Sequence, residues 1–82
     1  MKKKILSIMS LAIELQEKNV HVFIDYQAHC NYFYVAIFPL GWEKDLKPTI
    51  QRRFDLSKKD GAMLELNVIE EYLQQFLQKV SA

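Results

Sequence analysis

Val20-His21-Val22-Phe23-Ile24-Asp25-Tyr26-Gln27-Ala28-His29-Cys30-Asn31-Tyr32-Phe33-Tyr34-Val35-Ala36-Ile37-Phe38 is the stretch whose reading decides the fold. Val20, Val22, Ile24, Tyr26 and Ala28 alternate with His21, Phe23, Asp25 and Gln27. A period of two is that of a strand, here over residues 20–28. Residues 31–39 repeat the pattern, with Phe33, Val35 and Ile37 set against Tyr32, Tyr34, Ala36 and Phe38. So short a link predicts an antiparallel hairpin. Pairing Ala28 with Asn31 sets Tyr26 opposite Phe33, Ile24 opposite Val35 and Val22 opposite Ile37, all on one face. A one-residue slip mixes the faces, so the pattern itself selects this register. His29-Cys30 is not a favoured two-residue turn, because it is neither Asn-Gly nor Asp-Gly. A four-residue loop keeps the same register.

Downstream, Pro39-Leu40-Gly41-Trp42-Glu43-Lys44-Asp45-Leu46-Lys47-Pro48 reads as a loop, punctuated by its glycine and two prolines. A third strand is predicted over residues 49–55. Ile50 and Phe54 flank Arg52 on one side, and Thr49, Gln51, Arg53 and Asp55 take the other. As the most polar of the three, it suits a sheet edge. In Ser57-Lys58-Lys59-Asp60, a Ser cap with an acid three residues on marks a helix start, with Asp60 as the alternative cap. That helix runs to about Lys79. Ala62, Leu66, Ile69, Leu73, Phe76 and Val80 recur at steps of four and three, an apolar seam that Met63, Tyr72 and Leu77 widen.

Upstream, residues 3–18 read as a helix. Ser7, Ser10, Glu14, Glu17 and Lys18 share a polar stripe. Ile5, Leu6, Ile8, Met9, Leu11, Ala12, Ile13 and Leu15 fill an arc wider than a helix on one sheet needs, which predicts contact with a second helix or another subunit. Lys2, Lys3 and Lys4 oppose the helix dipole, so the first turn is expected to fray. Asn19 suits a left-handed stop. Met1-Lys2-Lys3-Lys4 before an apolar run has the look of a secretory leader, but Glu14-Leu15-Gln16-Glu17-Lys18 follows where a small-residue cleavage site belongs.

The expected fold is therefore α+β, in the order α-β-β-β-α. It is a two-layer sandwich in which a three-stranded antiparallel meander carries the N- and C-terminal helices on one face, as a single domain over residues 1–82. Half of the residues are hydrophobic, too many for a disordered chain and enough for a core. Eleven basic residues against ten acidic leave a net charge of +1, so no global field draws the chain to nucleic acid or to anionic lipid. Cys30 is the only cysteine. No internal disulfide can form, which points to a reducing, cytoplasmic location.

If the helices cover the aliphatic side of the sheet, Phe23, Tyr32, Tyr34 and Phe38 lie on the uncovered side. They are the candidate interface, because Tyr and Phe concentrate binding energy. Trp42 joins them as a possible anchor, its other role being to fold over the sheet edge with Leu40 and Leu46. Arg52, Arg53, Lys58 and Lys59 are candidate phosphate contacts around the start of the last helix, with Asp55 and Asp60 cutting the local field. His21, His29 and Cys30 match no zinc spacing. The acids show no pairing that suits acid–base catalysis, and two glycines build no phosphate loop. No cofactor or metal is expected, nor an enzyme.

The element order, together with Ser57-Lys58-Lys59 at the start of the last helix, resembles the double-stranded-RNA-binding domain. That resemblance implies a basic RNA contact at this helix start. The family's further helix lysine is replaced by Ala62, and its Gly-Pro loop by Ala28-His29-Cys30-Asn31. The functional expectation is a small non-enzymatic interaction module that forms a homodimer through the aromatic sheet face, the apolar first helix, or both. The alternative is a nucleic-acid-binding domain using the four basic residues. No membrane association is expected.

Overall fold

The computed structural model of the chain describes residues 1–38 and 50–81. The elements run α1 (Lys2–Glu17), β1 (His21–Gln27), a short 3-10 turn (Ala28–Cys30), β2 (Tyr32–Phe38), β3 (Ile50–Asp55) and α2 (Lys59–Ser81). This is the α-β-β-β-α order read from the sequence. The expected loop over residues 39–48, and Trp42 with it, lies outside the described residues.

The strands form one antiparallel sheet in the order β1-β2-β3. Tyr26 pairs with Phe33, Ile24 with Val35 and Val22 with Ile37, the register that keeps the apolar residues together. The turn is the four-residue version. Gln27 and Tyr32 close the ladder, and Asn31 takes the left-handed conformation at φ 54°, which Asn tolerates better than most residues. β3 continues the meander with Phe54 opposite Phe33 and Ile50 opposite Ile37.

Asn19 ends α1 at φ 64°. The Asn19 amide donates to the Gln16 carbonyl, and the Val20 amide donates to the Leu15 carbonyl at 2.9 Å. This is the Schellman arrangement, and its usual hydrophobic contact is present, since Leu15 and Val20 are both buried. The stop also fixes the phase of β1, because Val20 enters the core as the strand begins.

α2 starts differently from the sequence expectation. The Ala62 amide donates to the Lys58 carbonyl, so the helix begins one residue after Ser57 could cap it. The Ser57 hydroxyl instead donates to the Asp55 carboxylate at 2.7 Å, and the Ser57 amide donates to the same oxygen at 2.8 Å. An acid at the end of β3 outcompetes the helix terminus for this serine.

Both helices lie on one face of the sheet, α1 against β1 and α2 against β3, and they also pack on each other. The core joins Ile8 and Leu15 of α1, Ala62, Leu66, Ile69 and Leu73 of α2, and Phe33, Val35 and Ile37 of the central strand. Each fully buried large side chain contributes about 1.5–3 kcal/mol. The shortest Cα extent is 16 Å, which fits one helix layer on one sheet. Among the described residues no helix is long and apolar enough to cross a membrane.

Candidate interaction site

Three sides of α1 have different surroundings. Ile8, Ala12 and Leu15 are buried in the core. One side meets α2: Lys4 Nζ lies 2.9 Å from Glu70 Oε1, and Ser7 donates to the same carboxyl. The Ser7 hydrogen bond and the Lys4 ammonium together hold Glu70 below the usual carboxylate range. The first turn is helical from Lys2, and its Lys4 charge is met by Glu70 rather than left facing the dipole. The third side, turned away from α2, carries Leu6, Met9 and Ile13 at 55%, 44% and 61% exposure. Their spacing of three and four puts them in one row along the helix. Because α1 lies on β1 and α2 on β3, this row runs along the outer edge of β1.

In the sequence these three are indistinguishable from the five other apolar residues of α1. Ser7 was the clue. A hydroxyl within reach of a Glu on α2 fixes which side of α1 the second helix occupies, and the opposite side follows.

The far face of the sheet carries the candidate aromatic residues as expected, since Phe23, Tyr32, Tyr34 and Phe38 all lie opposite the helices in the observed register. It is not uniformly open. Tyr32 and Tyr34 are half-buried, while Phe38 is only 6% exposed and Ala36 is buried. Phe38 meets Phe23 edge-on at 5.4 Å, and Phe23 meets His21 at 4.6 Å. Phe38 is thus committed to packing on this face, and Phe23 keeps 40% of its surface exposed.

The four basic candidates are not brought together. Arg52 is on the helix side, with Nε 3.9 Å from Glu65. Arg53 is on the far side, its guanidinium 5.8 Å from the centre of the Tyr34 ring. Neighbouring residues of a strand point to opposite faces, so the two cannot grip one phosphate. Lys58 and Lys59 are exposed at the start of α2. Nearby, Asp55 is held below the usual carboxylate range by the Ser57 hydroxyl and then by the Ser57 amide.

Cys30 is exposed in the hairpin turn, with its thiol 3.6 Å from Gln27 Oε1 and 3.8 Å from the Gln27 carbonyl. Among the described residues no three His, Cys, Asp or Glu side chains converge as a metal site would require. Comparison with known protein families, characterised proteins and solved structures finds no match to this chain.

Proposed function

We propose that this protein is a non-enzymatic interaction module that assembles with a second copy of itself through the β1 side of the molecule. The observation that carries this reading is the row Leu6, Met9 and Ile13. These are three large aliphatic side chains, contiguous and about half exposed, on a small domain whose core is already complete without them. Scattered exposed apolar residues are ordinary, but a row along one helix beside a sheet edge is what a partner covers. α2 has exposed Leu64 and Val68 as well, but Glu71 and Gln75 share their side of the helix and break the patch.

The side-chain chemistry of the described residues is compatible with a binding role. Among the described residues, the two carboxylates with displaced pKa values, Asp55 and Glu70, are both shifted downward by hydrogen bonds, the opposite of a group readied to give up a proton at neutral pH. The divergence of Arg52 and Arg53 weakens the nucleic-acid alternative, which needs converging phosphate contacts.

Sedimentation equilibrium from low to high micromolar protein tests the reading. A monomer–dimer equilibrium is expected, shifted toward monomer by Met9→Asp. A strict monomer across that range overturns it.

A further inference from the structure

We propose that β1 pairs antiparallel with β1 of a second copy about a twofold axis at Phe23, joining two three-stranded sheets into one of six strands. This rests on the reading that the chain self-associates, and adds the strand, the register and the residues that set it.

β1 is an edge strand. Among the described residues no strand lies on its outer side. Edges are ordinarily guarded by Lys or Arg, by Pro, by bulges or by shortness. β1 has none of these. Its seven residues, His21–Gln27, pair with β2 without interruption, and Asp25 is their only formal charge. The other edge, β3, carries Arg52 and Arg53.

The sequence of β1 is complementary to itself. Twofold symmetry requires that if residue i faces residue j, then j faces i. Keeping the apolar and polar faces aligned requires that i and j be both odd or both even. An axis at Phe23 satisfies both conditions residue by residue. Val22 then faces the second copy's Ile24 on the helix side. On the far side, His21 faces the second copy's Asp25, within reach for the imidazole N–H to donate to the carboxylate, and Phe23 meets its own counterpart. Moving the axis to Ile24 sets Asp25 against a Phe ring. Moving it to Asp25 sets two carboxylates together. Moving it to Val22 sets His21 against the ring and leaves Asp25 beyond the strand. The same twofold runs the two α1 helices antiparallel on one side of the joined sheet, which brings the two Leu6–Met9–Ile13 rows toward each other.

Crosslinking in a Cys30→Ser background tests the register. Directly opposed residues of an antiparallel pair have Cα atoms about 4.5–5.5 Å apart, within disulfide range. His21→Cys with Asp25→Cys should give a covalent dimer on mild oxidation. Either substitution alone should not, because residue 21 and its symmetry mate lie about 13 Å apart. Residues 21 and 25 of one strand are equally distant, so no disulfide closes within a chain. A charge swap gives an independent measurement. His21→Asp should weaken the dimer about tenfold by setting carboxylates opposite one another, and adding Asp25→His should restore it. If the doubly substituted cysteine variant sediments as a dimer but does not crosslink, the register is wrong while self-association stands. If that variant is monomeric, the swap series decides, and a dimer indifferent to His21→Asp overturns the register. A wild-type chain that stays monomeric at high micromolar concentration overturns both readings.

Discussion

The two edges of the sheet are built to opposite rules. β3 (Ile50–Asp55) carries a cation on each face, Arg52 toward Glu65 on α2 and Arg53 over the Tyr34 ring. A second chain arriving there would have to desolvate or displace both. β1 (His21–Gln27) presents Val22 and Ile24 on one face and Phe23 on the other, and the helix above it exposes Leu6, Met9 and Ile13. Both strands border the same central β2 and share its core, so the core does not account for the difference. It lies in the side chains that each edge and its overlying helix turn outward. An edge whose guards are absent and whose neighbouring helix is greasy is the one through which a partner is best admitted.

The largest effect is expected where the two edges meet. Phe33 contacts Tyr26 of β1 and Phe54 of β3, with ring centres 6.4 Å and 5.3 Å away, and it is fully buried. Phe33→Ala should cost about 3–5 kcal/mol in urea unfolding and loosen both edges together. A loss confined to one edge, seen by amide exchange, would mean that the strands do not share one core.

The next effect separates the edges. Ile13→Asp should weaken self-association about a hundredfold by burying a charge in the contact. Unfolding free energy of the monomer should stay within about 0.5 kcal/mol, because Ile13 is the most exposed of the three. The converse experiment removes the guards from β3. Arg52→Val with Arg53→Val should add a second sticky edge and shift light scattering from dimers to larger species. If it does not, the arginines are not what keeps β3 apart.

The smallest effect concerns the seam that turns α1's apolar row outward. Glu70 accepts from Ser7 and Lys4. Because its folded pKa lies below the ordinary 4.5, its contribution is present above that value and is lost as pH falls through the folded pKa. The pair is partly exposed, so about 0.5–1 kcal/mol is expected. Glu70→Gln should lower neutral-pH stability by that amount and flatten this part of the acid limb of the stability curve.

Much of this was legible in the residues. Alternation over 20–38 specified the hairpin register, because a strand's side chains obey a strict two-residue period. The seam Ala62, Leu66, Ile69, Leu73 and Phe76 named the inward side of α2 for the same kind of reason, while its last member, Val80, is exposed. Asn19 marked the end of α1. The misreadings fall where two elements meet. Ser57 had the right spacing to cap α2, but Asp55 of the preceding strand holds its hydroxyl. Phe38 had the right parity for an open aromatic face, yet it is buried on that face with Phe23 at its edge. Ser7 looked like part of a solvated stripe and instead binds Glu70.

By itself, then, the sequence determined the kind and order of the helices and strands and the facing of the strands and of α2, because those follow from backbone periodicity and local end signals carried within a few residues. Tertiary structure alone decided which third of α1's apolar arc stays outside, and which edge of the sheet is screened. Both depend on where α2 sits beside α1, a placement set by contacts such as Lys4–Glu70 between residues 66 positions apart in the chain.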